Sequence, residues 1–168
     1  MADPITPITI RPALPADCGA INEIYNHYVL SDTCTYQTEP DTLTERQAWF
    51  EEHGPAHPVL IAEQRGEVLA WGALSAFRPR AGYRFSVEDS VYVRHDRQHR
   101  GLGKALLGEL LRAARSHGHH TVIAVISADK PNSLALHYGY GFTHAGVLRQ
   151  AGYKFETWLD VAYLQLML

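Results

Sequence analysis

The sequence is poor in the features that mark secreted, metal-binding and membrane proteins. Its 168 residues include two cysteines, Cys18 and Cys34, which are too few for a disulfide framework and match no zinc-ligand spacing. We therefore expect buried free thiols and no metal ion. No apolar run approaches the roughly 20 residues that cross a bilayer, and residues 1–7 lack a basic start followed by an apolar run. These absences predict a cytoplasmic protein that has no membrane partner.

A large excess of either charge is also absent. The formal net charge is −3, so the chain offers no broad basic surface for nucleic acid. Ten histidines invite a metal interpretation. However, His117, His119 and His120 surround Gly118 where a helix is expected to end, a place that favours polar and cationic residues without any metal. The length and the 46% hydrophobic content suit one domain over residues 1–168.

Positive charge is concentrated in one short segment between a β-rich run and a helical pattern. Residues 94–104 contain three arginines and one lysine against a single aspartate. Gly101 and Gly103 lack Cβ atoms and allow close approach to the backbone, while a helix start has unpaired amides that favour negative charge. The segment predicts an anion site. The alternative is an ordinary strand-to-helix turn with a solvated basic face.

Two familiar phosphate-binding loops are excluded by single residues. A Walker loop requires glycine in place of Gln98 and serine or threonine in place of Ala105, and a dinucleotide fingerprint requires glycine in place of Leu106. What remains is the pattern Gln98-x-x-Gly101-x-Gly103, which follows a Val-Tyr-Val strand and precedes an amphipathic helix.

Hydrophobic periodicity predicts elements in the order βααβββαβαββ. Asp17 is expected to cap the first helix, and two capping-box spacings, Thr42-x-x-Glu45 and Thr44-x-x-Gln47, locate the start of the second. Arg65-Gly66 indicates a hairpin turn, and Gln150-Ala151-Gly152 is expected to separate the last two strands. The order implies an α/β protein whose mixed central sheet carries helices on both faces.

The glycine turn resembles the Q/R-x-x-G-x-G/A signature of the GCN5-related N-acetyltransferases (GNAT), whose acyl-CoA N-acyltransferase fold has the same order of elements. A narrower resemblance, to the phosphinothricin and methionine-sulfoximine acetyltransferases, rests on several separate motifs in the right order. These are Ile10-Arg11-Pro12-Ala13, Tyr25-Asn26-His27-Tyr28, Thr38-Glu39-Pro40, Gly66-Glu67-Val68, Glu88-x-Ser90-Val91-Tyr92-Val93, Leu148-Arg149-Gln150-Ala151-Gly152-Tyr153-Lys154-Phe155 and Trp158-x-Asp160. The resemblance implies acetyl-CoA as the cosubstrate and a homodimer.

The resemblance also implies which residues hold the coenzyme. Those expected around the pyrophosphate are His99, Arg100, Gly101, Leu102, Gly103 and Lys104. Val91, Tyr92 and Val93 are expected to pair with the pantetheine arm as an added strand does, with the N–H of Tyr92 or Val93 polarising the acetyl carbonyl. Alternatively, they are simply a core strand. Relatives usually carry an asparagine three residues before the helical serine. Lys130 stands there, so Asn132 is assigned that contact and Lys130 is considered for a coenzyme phosphate.

Two residues are expected to move protons. Acetyl transfer to an amine needs a neutral amine, a polarised thioester carbonyl and a reprotonated thiolate. Glu88 resembles the family's proposed base; its alternative role is an ion pair with a neighbouring arginine. His137 stands where many acetyltransferases place a tyrosine near the coenzyme sulfur; its alternative role is structural, at a helix end. Neither cysteine lies in the motif region, so direct attack in a ternary complex is favoured.

The acceptor site is expected near the loop before the Glu88 strand. Arg78 and Arg80 are assigned to the acceptor's acid group because a guanidinium forks onto a carboxylate or phosphinate, with a surface ion pair as the alternative. The other assigned substrate contacts are Tyr36, Tyr83, Asp89 and Ser90. For the tyrosines the alternative is a place in the core. We expect acetylation of the α-amino group of phosphinothricin, methionine sulfoximine or methionine sulfone. The alternatives are acetylation of a protein N-terminus and a non-catalytic acetyl-CoA sensor.

Overall fold

The computed structural model describes residues 7–168; residues 1–6, on which part of the expected absence of a targeting segment rests, lie outside the described residues. The helices and strands follow the expected order βααβββαβαββ. They are β1 (Thr9–Pro12), α1 (Cys18–Ser31), α2 (Leu43–Glu51), β2 (Val59–Gln64), β3 (Glu67–Ala76), β4 (Ser86–Val93), α3 (Leu102–Ser116), β5 (Thr121–Ser127), α4 (Pro131–Tyr138), β6 (Thr143–Lys154) and β7 (Thr157–Met167).

The two N-terminal helices begin in different ways. At α2 the first capping box is confirmed, since Thr42 Oγ1 accepts from the amide of Glu45 at 3.2 Å and Glu45 Oε2 accepts from the amide of Thr42 at 2.7 Å. At α1 the expected side-chain cap is wrong. Asp17 occupies the cap position, but its carboxylate accepts instead from Arg11 at 2.8 Å and from the amide of Leu14 at 2.7 Å. The ion pair with β1 replaces the cap.

The strands form one sheet in the order β1-β2-β3-β4-β5-β7-β6. Every neighbouring pair is antiparallel except β4 and β5, whose parallel ladder joins only Ser86–Glu88 to Thr121–Ile123. Asp89–Val93 then continue to pair with β3, and Ala124–Ser127 with β7, but not with each other. We call this opening the β4–β5 gap.

Helices cover both faces of the sheet, as expected. The buried stripe of α3, which includes Leu106 and Leu110, packs on the face that carries Leu74 and Val122. Ile21 and other residues of α1 pack on the opposite face, around Trp71. Alternate residues of the strands thus enter two separate cores.

The expected turn between the last two strands is wrong. Strand β6 continues through Gln150–Gly152, where Gln150 has φ 50° and the register with β7 shifts. The chain turns instead at Phe155–Glu156, which have φ 49° and 57°. A bulge and a turn use the same permissive residues, so composition alone does not distinguish them.

Among residues 7–168, no helix is long and apolar enough to cross a bilayer. Within the same range, no group of three or more His, Cys, Asp or Glu side chains is placed to hold a metal ion. Both cysteines are free thiols; Cys18 is buried and Cys34 is partly buried.

Candidate active site

A cavity of about 420 Å³ lies at the β4–β5 gap. Successive residues of a strand point to opposite faces, and the register places Glu88 and Tyr92 opposite Ser75 and Trp71 on the α1–α2 face. Asp89 points to the other face, where it meets α4. Both sets of residues line the cavity, which therefore passes through the sheet.

The cavity brings together many of the residues that the sequence assigns to the site. Those that line it are Tyr36, Glu88, Asp89, Ser90, Val91, Tyr92 and His137. The side chains of Val91, Tyr92 and Val93 also pack against the two cores, so the core interpretation of this strand is compatible with an open backbone edge.

Glu88 is a half-buried carboxylate on the α1–α2 side of the cavity. Burial raises the pKa of Glu88, the negative charge of Asp89 adds to this, and Arg78 partly offsets it. No ion pair holds Glu88 among the described residues 7–168, so the alternative of a paired structural carboxylate finds no arginine in contact with it. A carboxylate with a raised pKa and an open face is suited to accept a proton near neutral pH.

His137 and Asp89 form a buried pair on the α4 side. His137 Nε2 lies 2.9 Å from Asp89 Oδ2, and Nδ1 lies 2.7 Å from the carbonyl of Ser133. Both partners are acceptors, so the ring needs a proton on each nitrogen. Burial works against that cation, but the hydrogen bond to Asp89, the negative charge of Asp89 and the bond to the Ser133 carbonyl together outweigh it, and the pKa of His137 is raised. Asp89 Oδ1 is buried and, among residues 7–168, has no hydrogen-bond partner.

The glycine turn leads directly into α3. Gly101 has φ 78°, a left-handed conformation that glycine adopts without strain, and α3 begins at Leu102 with no side-chain cap. A Cβ at Gly103 would make only ordinary contacts with the side chains of Val91, Val93 and Leu136, at 3.7–3.8 Å. The first amides of α3 are thus left for water or an anion.

The remainder of the basic segment is anchored to the protein. Gln98 donates from Nε2 to the hydroxyl of Tyr28 at 2.7 Å, and that hydroxyl donates to the carbonyl of Val93. Arg94 pairs with Asp96 at 2.6 Å and with Glu67. Of the expected positive charges, Arg94 is therefore already neutralised within the protein, and Gln98 fixes the turn against α1 and β4.

Several assigned residues lie outside the cavity lining. Arg78 stacks over the Phe77 ring at 4.5 Å, Arg80 and Tyr83 are exposed, and Asn132 is exposed on the first turn of α4. Lys130 does line the cavity, but its ammonium lies 3.0 Å from Asp32 Oδ1. An ion pair thus already uses the charge considered for a coenzyme phosphate.

Sequence reasoning missed Arg46, which lines the cavity together with Lys130. Arg46 is 3% exposed, and its guanidinium lies 4.3 Å from the ring centre of Tyr25 and 4.7 Å from that of Trp49. It also donates to Asp41 Oδ2 at 2.5 Å. The capping box locates α2, but no local pattern indicates that an arginine of this helix faces inward.

One known protein family matches most of this chain. Residues 21–142 match the family described as the acetyltransferase (GNAT) family. The chain belongs to this family. The enzyme is accordingly an N-acetyltransferase, and its sheet, opened between β4 and β5, is the fold expected from the glycine-turn resemblance.

Individual relatives cover almost the whole chain of this acetyltransferase. The L-methionine sulfoximine/L-methionine sulfone acetyltransferase of Salmonella typhimurium is 40% identical over 96% of this chain and 95% of its own. The L-amino acid N-acyltransferase MnaT of Escherichia coli is 41% identical over 96% and 94%.

Solved structures of two acetyltransferases also resemble this chain over nearly its whole length. A phosphinothricin acetyltransferase from Sinorhizobium meliloti in complex with acetyl-CoA has a TM-score of 0.93 and 39% identity, with 96% and 88% of the two chains covered. A ribosomal-protein-alanine N-acetyltransferase from Brucella melitensis has a TM-score of 0.93 and 38% identity, with 95% and 99% covered.

Proposed function

We propose that this enzyme uses acetyl-CoA to acetylate the α-amino group of a small amino-acid analogue, namely methionine sulfoximine, methionine sulfone or phosphinothricin. The observation that carries the proposal is a cavity through the sheet in which the carboxylate of Glu88 is half-buried beside the open edge of β4. The names of the Salmonella and Sinorhizobium relatives supply the acceptor class.

The residues of the chain fit acetyl-CoA at two places. The uncapped start of α3, with Gly101 in its left-handed conformation, suits the pyrophosphate, and His99, Arg100 and Lys104 surround it in sequence. Asp89–Val93 lack a neighbour on the β5 side, so the backbone of Val91–Val93 is open to an amide-bearing arm. We assign pantetheine to this edge and the acetyl carbonyl to the N–H of Tyr92 or Val93.

The proposed chemistry gives each side of the cavity one proton transfer. Glu88 accepts a proton from the acceptor's ammonium, directly or through water. The free amine forms the new bond to the acetyl carbon as the carbon–sulfur bond breaks, and the second proton lost by the nitrogen goes to solvent, which replaces the proton that His137 donates. His137 holds a proton at Nε2 that suits the departing thiolate, provided that its bond to Asp89 opens. Acetyl-CoA, when bound, supplies the activated acyl group.

The acceptor's acid group is assigned to the basic residues around the cavity. Arg78 and Arg80 are proposed at its entrance with Tyr83, while Tyr36, Asp89 and Ser90 line it. These positions of the charged side chains suit a small zwitterion. Glu88 would lie beside the acceptor's ammonium, and the guanidinium of Arg78 or Arg80 would pair with its carboxylate or phosphinate.

A second candidate is acetylation of a protein N-terminus, which the Brucella structure favours by its name. The test is thiol release from acetyl-CoA with the three analogues, an alanine-initiated peptide and a polyamine. Turnover of the analogues with little of the peptide is expected. Turnover of the peptide alone would overturn the substrate class, and acetyl-CoA binding without any turnover would indicate the sensor.

His137 has its own test within the same assay. His137→Ala is expected to lower kcat far more than acetyl-CoA affinity, because a group that serves the departing thiolate does not hold the coenzyme. Unchanged turnover would remove His137 from the mechanism.

The proposal also places the enzyme in the cytoplasm as a homodimer. Large apolar side chains of the β6–β7 hairpin are exposed, among them Leu148 at 51%, Tyr153 at 52% and Trp158 at 61%. Strand β6 is an edge of the sheet, so this surface is open to a second copy. Light scattering is expected to give twice the 18.8 kDa chain mass, and a monomer at micromolar concentration would contradict the proposal.

A further inference from the structure

Gly152 on β6 is in direct contact with the loop between α1 and α2. A Cβ at this position would lie 2.8 Å from Cε1 and 2.9 Å from Cδ1 of Tyr36, closer than side chains approach one another. The φ of Gly152 is not in the left-handed region, so the ring of Tyr36, and not backbone strain, requires glycine here. The bulge of β6 therefore provides a seat for one aromatic ring.

Two residues farther along, on the same face of β6, Lys154 holds the backbone of the same loop. Its side chain is 2% exposed, and Nζ donates to the carbonyls of Asp32 at 2.6 Å, Thr35 at 2.8 Å and Tyr28 at 3.3 Å. Three acceptors use all the protons of an ammonium. The loop is thus fixed immediately before Tyr36.

Tyr36 carries a buried hydroxyl that forms no hydrogen bond of normal geometry within residues 7–168. Tyr36 nevertheless lines the cavity. Burial raises the pKa of Tyr36, and the nearby side chain of Ser127 offsets this in part without forming a hydrogen bond of normal geometry, so the group is a neutral O–H donor at ordinary pH. A buried donor left unpaired is costly, which indicates that a ligand supplies the acceptor.

We propose that Tyr36 determines acceptor specificity by donating its hydroxyl proton to an oxygen of the acceptor's side chain, and that Gly152 is the positioning residue that seats it. The inference rests on the proposed function. A sulfone, sulfoximine or phosphinate presents such an oxygen, whereas a thioether does not. The preference for methionine sulfone over methionine therefore measures the contact.

The experiment compares kcat/KM for methionine sulfone and methionine in five variants. Tyr36→Phe is expected to reduce the preference for the sulfone about 10-fold, with the KM for acetyl-CoA unchanged. Gly152→Ala is expected to reduce it similarly because the added methyl group displaces the ring. Gly146→Ala on the same strand, where a Cβ meets nothing within 4 Å, is the matched control and should behave as wild type.

The fourth and fifth variants, Tyr36→Ala alone and Tyr36→Ala with Gly152→Ala, separate positioning from a general effect on folding. In a Tyr36→Ala background the ring is gone, so adding Gly152→Ala should produce no further change in preference. The inference would be overturned if Gly152→Ala reduced the preference for the sulfone equally in the wild-type and Tyr36→Ala backgrounds. It would also be overturned if Tyr36→Phe left that preference unaltered. Failure of the proposed function would be distinct, since wild-type enzyme would then acetylate neither acceptor.

Discussion

Replacing Asp89 by asparagine tests the buried pair on the α4 side of the cavity. The side chains of Asp89 and His137 are 2% and 6% exposed, so neither charge has a solvent alternative. Asparagine keeps the size and one acceptor oxygen but removes the negative charge. His137 then loses the group that favours its cation. As a neutral ring it has one proton for two acceptors, Ser133 carbonyl and the new amide oxygen.

The expected magnitude follows from the burial. Removing one partner of a buried ion pair costs about 3–5 kcal/mol, and the retained hydrogen bond places Asp89→Asn near the lower end, at about 3 kcal/mol. For a chain of this length each kcal/mol lowers Tm by about 2–4 °C, so a fall of about 6–12 °C is expected. Glu109→Gln is the matched control, because its ion pair with the 74%-exposed Arg112 is worth less than about 1 kcal/mol.

The pH dependence identifies the cause. The pKa of His137 is raised in the folded protein above its ordinary 6.5, so the pair's contribution is complete below that value and is lost as pH rises through the folded pKa. Thermal melts from pH 5.5 to 9 should therefore show the largest gap between wild type and Asp89→Asn at acidic pH. A gap that is constant with pH, or smaller than that of Glu109→Gln, would refute the reasoning.

Three further predictions concern proton transfer, a helix cap and the glycine turn. Glu88→Gln should lower kcat/KM by about 10²–10⁴-fold, with residual activity that rises with pH because the amine then loses its proton to solvent. Thr42→Ala should cost about 1 kcal/mol in urea unfolding, whereas Thr44→Ala, inside α2, should cost less than half of that. Gly101→Ala should cost about 1–2 kcal/mol and raise the KM for acetyl-CoA, whereas Gly103→Ala should not destabilise the protein. Equal effects within either matched pair would contradict the structural assignment.

Local sequence patterns were sufficient to predict the order of the helices and strands. The Thr42 capping box, the buried stripe of α3 and the order of elements depend on residues close in sequence, and the structure confirms them. The errors occur where a distant partner decides. The carboxylate of Asp17 binds Arg11 instead of capping α1, and the chain bulges between Leu148 and Gly152 because β7 continues to pair on both sides of the register shift.

The candidate site residues were predictable where they lie on one strand. They were not predictable where the contact joins elements that are distant in the sequence. The residues of β4 at the gap were located from the sequence because the strand and the glycine turn are adjacent. The bond between Asp89 and His137 spans 48 positions, and Arg46 reaches the cavity only because α2 packs against Tyr25 and Trp71. No periodicity records such contacts, since they depend on how the elements pack.

The gap between β4 and β5 makes the central sheet a wall between two sides of the molecule, with one opening through it. Glu88 and Tyr36 lie on the α1–α2 side of the sheet and the start of α3 on the other side, so the proposed function has the acceptor and acetyl-CoA approach the gap from opposite faces. Under the proposed function, substitutions in the α1–α2 loop and at Gly152 change the acceptor preference and leave the coenzyme-binding turn unaltered.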